Sequence, residues 1–547
     1  MKKIFNIALA AFAVIALASC NQAGKMIESV DQLDIKCNPE VLEVIAGEID
    51  ADVTVNFPEG YFLPKATLYV TPVILYQGGE SVGKTVVYQG EKITENNITV
   101  PNAGATINQH VHFDYVKGME KSELVARLKV AFKGKEYEFP NDIKIADGAN
   151  TTYMLVETDG SYGYVADSYQ EVIPETVESQ ILYLINSSDV RNSELKKSEI
   201  KDFQQALQNL ASDERREIKG TEVVAYASPD GGEALNNKLS ANREKSATKA
   251  FGKVTKKLQT GEVSTKSIGE DWEGFQELVS NSSIEDKELI IRVLSMYSDP
   301  AVREREIKNM SSVYTTLAKN VLPQLRRARF ITSVEYTNYT AEELADLVSN
   351  NSDVLDEQAL LRAAANAKDK DAKIAIYKKA IEKFDSQTAK VNAATAYLQQ
   401  GKNAEADAVL AKANQNDPAV KNLKGVIAMR EGDLDKAASY FNAAGDNEYT
   451  NQNKAVLDIL GGKYDAAAKK LAGTKTCNET LAYILTDQLD KAKANNTGKC
   501  PKCKYKGAII EARQGNASAA KSLIEEASKM PALAERAALD VEFLKVK

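Results

Sequence analysis

Histidine and tryptophan are nearly absent from this 547-residue chain, which has two of the first, His110 and His112, and one of the second, Trp272. With both histidines in one short stretch, no Ser/His/Asp set and no metal cluster spaced for catalysis can be assembled, and no phosphate loop of the Walker type is expected. Positive charge is in deficit too. The 69 Lys and Arg against 77 Asp and Glu leave a net charge of −8, without the basic footprint of a nucleic-acid binder. Beyond the first twenty residues nothing approaches the ~18 consecutive apolar residues that cross a bilayer. These absences leave a non-enzymatic protein for which no cofactor and no metal are expected. Its composition, 44% hydrophobic and 27% charged, is that of a globular chain, and its length suits about three or four domains.

Met1 to Ser19 has the plan of a targeting segment, with Lys2 and Lys3 ahead of an apolar run from Ile4 to Leu17 and small residues before Cys20. Leu17-Ala18-Ser19-Cys20 resembles the lipobox of bacterial, Bacteroidota-type outer-membrane lipoproteins. The resemblance implies that residues 1–19 are a removed signal peptide and that Cys20 becomes the lipidated, palmitate-bearing N-terminus. The alternative is an ordinary secretory signal with an incidental cysteine; against it, the cysteine falls where the small cleavage-site residues end. Asn21 follows rather than Asp, which by the lipoprotein rule implies anchorage to the outer membrane, with the body in the periplasm. Residues 20–30 read as a polar tether.

Cys37, Cys477, Cys500 and Cys503 remain, and an oxidising compartment permits pairing. Cys500-Pro-Lys-Cys503 has the spacing of a thiol redox motif or of half a zinc site, but no second cysteine pair follows and the histidines are far upstream. A structural disulfide joining Cys477 to Cys500 or Cys503 is the favoured reading, with the connectivity open.

Residues 31–177 read as β-structure with a connector. Val53, Val55 and Phe57 alternate, as do Leu124, Ala126, Leu128, Val130 and Phe132, and Lys133-Gly134-Lys135 suits a hairpin turn. The spacing predicts an immunoglobulin-like β-sandwich. His110 and His112 share one strand face without a carboxylate partner in view, and decorate a solvated strand. The stretch 159–178, rich in Gly, Ser and Tyr, reads as a connector or edge loop.

Ile181 to Ile185 begins a second domain, 178–337, as a buried strand, and Ile200, Phe203, Leu207 and Leu210 mark a helix. Val223 and Val224 form a strand that Pro229-Asp230-Gly231-Gly232 breaks, and Leu239, Ala247, Phe251, Val254 and Leu258 recur at helical spacing. Strands at Ser264 to Ile268 and Phe330 to Glu335 follow. Asn236-x-x-Leu239-Ser240-x-x-Arg243 resembles the signature of the OmpA-like, peptidoglycan-associated family, and the element order resembles its α/β fold. The resemblance implies a pocket for the diaminopimelate side chain of peptidoglycan. A loop Asp would take the ammonium and the helix Arg, here Arg243, the carboxylate through a bidentate fork. Fifteen positions before Arg243 this chain has Ser228 instead of Asp, and a hydroxyl cannot neutralise an ammonium. Leaving one side of a buried charged contact unpaired costs roughly 2–5 kcal/mol. Asp230 and Glu233 on the same loop are the compensating carboxylates. The candidate ligand set is therefore Ser228, Asp230, Asn236, Leu239 and Arg243. A helical insertion at about 270–327 departs from the family, and its basic end, Arg326, Arg327 and Arg329, reads as a solvated face.

From Thr340 to the end, offsets of 5, 9 and 12 from a glycine recur at Gly401, Gly432 and Gly515, with a weaker copy at Gly462 and a degenerate one at Asp487. These offsets resemble the tetratricopeptide repeat and imply an α-solenoid of TPR-like helix pairs over 340–547, with a concave surface for protein partners. Taken together, the expected protein is a lipid-anchored envelope scaffold with a peptidoglycan-contacting middle domain and protein-binding repeats. The alternative is a protein-binding assembly factor or accessory subunit of a surface structure with no peptidoglycan contact.

Overall fold

The computed structural model describes residues 22–284 and 287–546, so that Cys20 lies outside the described residues. Period-two burial drives the first part. In β3 (Glu48–Phe57) Ile49, Ala51 and Val53 are buried while Glu48, Asp50 and Asp52 face water. Eleven strands result: β1 (Asp34–Asn38), β2 (Val41–Ile45), β3, β4 (Ala66–Tyr76), β5 (Gly79–Val82), β6 (Val86–Gly90), β7 (Ile98–Val100), β8 (Ala105–Asp114), β9 (Ser122–Phe132), β10 (Lys135–Glu138) and β11 (Ile143–Asn150). Their pairing differs from the expected immunoglobulin-like sandwich. All join one sheet in the order β1-β3-β2-β11-β9-β4-β6-β7, with β8 on β3, β10 on β9 and β5 on β4. The short strand β2 makes the continuity, pairing antiparallel with β3 and parallel with β11 so that neither half has a free edge there. One core of the sheet gathers Phe57, Phe62, Leu68, Tyr88 and Leu128. The expected tether is in part a helix, α1 (Gln22–Glu28), which buries Ala23 and Met26 in that core.

The next stretch runs β12 (Val172–Leu182), α2 (Ser198–Ala211), β13 (Arg216–Ala227), α3 (Glu233–Val254), β14 (Glu262–Glu270) and, after an insertion, β15 (Arg327–Thr337). The sheet order is β12-β15-β13-β14, with β13 and β14 parallel and the other pairs antiparallel. The strand expected at 181–185 lies earlier: it ends at Leu182, and Leu184 and Ile185 are exposed. Ile200, Phe203, Leu207 and Phe251 cover Val223, Ala225 and Phe330. Among its described residues the insertion has five helices, α4 (Trp272–Ser280), α5 (Lys287–Met296), α6 (Pro300–Asn309), α7 (Ser311–Asn320) and α8 (Leu322–Leu325), with a core of their own around Phe275, Ile290, Leu294 and Leu317. Three more helices follow, α9 (Ala341–Asn350), α10 (Glu357–Asn366) and α11 (Lys370–Phe384).

Paired antiparallel helices make up the rest: α12 (Gln387–Leu398) with α13 (Asn403–Leu410), α14 (Pro418–Arg430) with α15 (Leu434–Ala444), α16 (Glu448–Leu460) with α17 (Tyr464–Leu471), α18 (Cys477–Leu485) with α19 (Leu489–Asn495), and α20 (Pro501–Arg513) with α21 (Ala517–Ala527), closed by α22 (Pro531–Leu539). Each pair turns on a residue with positive φ, namely Gly401, Gly432, Gly462, Asp487 and Gly515. Glycine meets that need without strain, and Asp tolerates it. Five residues on, Ala406, Ala437, Ala467, Ala492 and Ala520 are each fully buried, small enough for close helix approach. This C-terminal region is a helical repeat array resembling tetratricopeptide solenoids.

The chain forms two compact units that do not follow sequence order, one of residues up to Val165 together with Lys390 onward, the other Ala166–Ala389. The β-region and the repeats were expected as separate domains, yet they share a core. Leu42, Val44, Ile49 and Leu124 pack with Ala455, Ile459, Ala467, Leu471 and Leu481.

Candidate functional site

After β11 and a short 3-10 turn the chain runs from Glu157 to Val165 with no regular secondary structure, and helices of the repeat array hold it by its main chain. On α18 the Asn478 Oδ1 accepts from the Glu157 N–H at 2.8 Å, and its Nδ2 donates to the Glu157 carbonyl at 2.8 Å. On α16 the Asn453 Oδ1 accepts from the Ser161 N–H at 2.6 Å while its Nδ2 donates to the Ser161 carbonyl at 2.9 Å. Asn422 on α14 donates to that carbonyl at 3.1 Å and accepts from Asn453 at 2.9 Å. On α12 Asn392 treats Val165 likewise, at 2.7 and 2.9 Å. A side-chain amide that accepts from N–H and donates to C=O of one residue reproduces half of a β-ladder rung. It reads the main-chain groups of that residue rather than its side chain.

Asn392, Asn422 and Asn453 are themselves buried. Arg430 adds two bonds to the Asp159 carbonyl and one to the Tyr162 hydroxyl. Space is tight: a Cβ on Gly160, whose φ is +83, would come within 2.6 Å of the Val426 side chain. The repeat helices expected to serve partners thus hold the chain's own connector through polar side chains. These asparagines were missed from the sequence. Their signal is register, since each stands nine or ten residues ahead of the turn residues 401, 432, 462 and 487.

The residues that resemble the OmpA-like signature fall in the other unit, at the end of β13 and the start of α3. Arg243 is fully buried; its Nε donates to the Ser187 carbonyl at 2.9 Å, Nη1 to that of Tyr226 at 2.9 Å and Nη2 to that of Leu184 at 3.2 Å. Burial pulls its pKa down to about 10. The guanidinium expected to face a carboxylate ligand thus sits with one N–H of each nitrogen on a main-chain carbonyl. Asn236 is buried and donates to the carbonyls of Ser228 and Gly231 and to Glu270. Leu239 is half-buried and Glu233 is exposed. The hydroxyl of buried Ser228 donates to Asp230, and Asp230 is paired with Arg326 at 3.1 Å. The loop carboxylate that would replace the family Asp is therefore already matched by a cation.

The basic end of the insertion is not the expected solvated face. Arg327 pairs with Asp271 at 2.8 Å, both nearly buried, and Arg329 pairs with Glu178. His110 and His112, expected without carboxylate partners, have them across the β3/β8 pair. His110 lies 3.0 Å from Asp52 and 3.1 Å from Asp50, and His112 lies 2.9 Å from Asp50. Glu48, Asp50 and His112 bring ligand atoms within 4.8 Å of one another, all three exposed.

Gly78 to Thr85 spell Gly-Gly-Glu-Ser-Val-Gly-Lys-Thr, the letters of a Walker loop. The structure places them at the β4–β5 turn, in β5 itself and in the step to β6, with no helix N-terminus following to receive a phosphate.

The candidate disulfide cysteines do meet. Cys477, Cys500 and Cys503 are unbonded, with Sγ atoms 2.7 Å apart for Cys500 and Cys503 and 3.9 Å apart for Cys477 and Cys503.

No family model matches the chain, and no curated protein matches it. Among solved structures it is similar to a tetratricopeptide repeat protein from Parabacteroides merdae, at 14% identity and a TM-score of 0.29 over 37% of this chain and 90% of that one. It is also similar to the APC/C hetero-tetramer Cut9-Hcn1, at 12% identity and a TM-score of 0.33 over 62% and 75% of the two chains. For yeast Tom70 the values are 13% and 0.25 over 62% and 78%. These likenesses are weak, and the repeat architecture rests on the helix pairs themselves.

Proposed function

We propose that the protein is a lipid-anchored scaffold of the cell envelope that works through protein–protein contact, its repeat array binding an extended stretch of polypeptide. The observation that carries this is the row Asn392, Asn422, Asn453 and Asn478, which holds both main-chain groups of every fourth residue at Glu157, Ser161 and Val165. Such a row reads main-chain groups, so a partner's segment with glycine where Gly160 stands and the chain's own connector compete for it. The anchor at Cys20 in the outer membrane is supported by the lipobox-like residues Leu17 to Cys20. Among the described residues no helix is long and apolar enough to cross a membrane.

Of the two readings of the middle domain, we favour the one without peptidoglycan contact, as in an assembly factor or accessory subunit. Arg243 is fully buried against three carbonyls, and Asp230, the loop carboxylate that would take the ammonium of diaminopimelate, is already paired with Arg326.

A labelled peptide of residues 155–168 tests the groove when added to the full chain and to its Gly160→Val variant. A branched side chain at Gly160 meets Val426 and a positive φ, which loosens the internal connector while leaving the groove intact. The variant is expected to bind the peptide at least about tenfold tighter than the wild type, a difference of about 1.4 kcal/mol. Adding Asn453→Ala should abolish the gain. Equal binding by wild type and variant, or binding indifferent to Asn453, would refute a main-chain-reading groove.

A further inference from the structure

Pro501 opens α20 and Cys500 caps it, so that the Cys500 sulfur accepts from the Cys503 N–H at 3.3 Å. Cys500 is exposed, Cys503 is buried, and Cys477 at the first turn of α18 is half-buried. The Cys503 sulfur lies between the other two, 2.7 Å from Cys500 and 3.9 Å from Cys477. The first distance is inside ordinary non-bonded contact, though longer than the covalent length of about 2.05 Å. Gly498 makes the room, since a Cβ there would stand 2.4 Å from the Cys503 sulfur. A structural disulfide needs two thiols at this place. The third, and the exposure of one of them, are left unexplained by that role.

We propose that Cys500, Cys503 and Cys477 form a thiol–disulfide exchange site, in which solvent-facing Cys500 attacks an external disulfide and buried Cys503 resolves the product. Cys500 thiolate attacks one sulfur of a disulfide R–S–S–R, forming a Cys500–S–S–R bond and releasing one R–S−. Cys503, deprotonated, then attacks the Cys500 sulfur and displaces the second R–S−, leaving a Cys500–Cys503 disulfide. The two protons lost by the cysteines end on two R–SH molecules, so the protein is oxidised by two electrons and the external disulfide reduced by two. Cys477 thiolate can next attack the Cys503 sulfur and free Cys500 as thiolate, an isomerisation with no change of electron count. The substrate class is a small or protein-borne disulfide able to reach an exposed thiol.

Electrostatics match the order of attack. Although burial works the other way, hydrogen bonds from the Cys503 thiol and from the Cys503 and Lys502 main chain, with the charge of Lys506, hold the Cys500 thiol below its ordinary range. Burial, aided by Cys500 and Cys477, pushes Cys503 up to about 12. Once Cys500 is tied up in a mixed disulfide its negative charge is gone, and Cys503 ionises more easily. A lowered pKa on the exposed member and a raised one on the buried member is the asymmetry that exchange requires.

The full chain is incubated with glutathione disulfide over a series of reduced-to-oxidised ratios, quenched with acid, alkylated and digested for mass spectrometry, with folding of each variant checked by circular dichroism. The wild type is expected to lose two thiols at once, in peptides containing Cys500, Cys503 and Cys477, while Cys37 stays alkylated throughout. Cys503→Ser should trap one glutathione on Cys500. Cys477→Ser should keep the Cys500–Cys503 bond, and Cys500→Ser should react at least about tenfold more slowly. Retention of all three thiols by the folded wild type at every ratio, an unmodified Cys500 in Cys503→Ser, or a Cys500→Ser variant as fast as wild type would each overturn the proposal.

Discussion

Replacing Asn453 by Ala should release the connector without unfolding the helix that carries it. The side chain is fully buried and makes three bonds, accepting from the Ser161 N–H at 2.6 Å and donating to the Ser161 carbonyl at 2.9 Å and to Asn422 at 2.9 Å. Truncation leaves the Ser161 carbonyl with Asn422 at 3.1 Å, but strips the N–H of its acceptor. A buried donor left unpaired costs about 1–3 kcal/mol, and the lost contacts add about 1 kcal/mol net. Docking of residues 157–165 should therefore weaken by roughly 2–4 kcal/mol, which at 1.4 kcal/mol per decade means exchange of its amides about 30-fold to 1,000-fold faster. Hydrogen-exchange mass spectrometry reads this directly, with α16 peptides as the internal control. Asn422→Ala should do less, about 1 kcal/mol, because Asn453 still grips the same carbonyl. The double variant should be non-additive, since the two amides are bonded to each other. Protection of 157–165 within about twofold of wild type in Asn453→Ala, with α16 intact, would refute the account, because the stated range lies at or above about 30-fold.

Arg243→Ala should destabilise the Ala166–Ala389 unit by about 3–5 kcal/mol, because a large buried side chain is truncated and the buried Tyr226 carbonyl and the part-buried carbonyls of Leu184 and Ser187 lose their donor together; a change below about 1 kcal/mol in urea unfolding would contradict this. His110 and His112 should titrate above their ordinary value, held up by hydrogen bonds to Asp52 and Asp50 respectively. Their contribution to stability is then complete below about pH 6.5 and is lost as pH rises through the raised folded-state values. Asp50→Asn should lower both midpoints in an NMR titration, and unchanged midpoints would show the contacts absent in solution. Cys20→Ala should abolish lipid labelling and move the protein out of the membrane fraction, whereas retention after a high-salt wash would require a second anchor.

Local pattern carried much of the architecture. Alternation in β3 and β9 set strands with one wet face, and the glycine-led offsets located the helix-pair turns, down to the weak copies at Gly462 and Asp487, because a positive-φ turn and a small buried alanine are demands of single repeats. What the chain does with those elements was settled only in three dimensions. The connector and the asparagines that hold it stand 227 to 321 residues apart, so no local pattern links them. Strand β2 closes two sets of strands into one sheet because both of its edges find partners, a matter of pairing rather than of its five residues. Arg243 has the spacing of a ligand-binding residue, and the carbonyls of Leu184 and Ser187 that its guanidinium meets come from another part of the chain. Periodicity fixes which face of an element avoids water, since that depends on neighbours a few residues away. Which polar group meets which across that face depends on chain closure, and that only the tertiary structure decides.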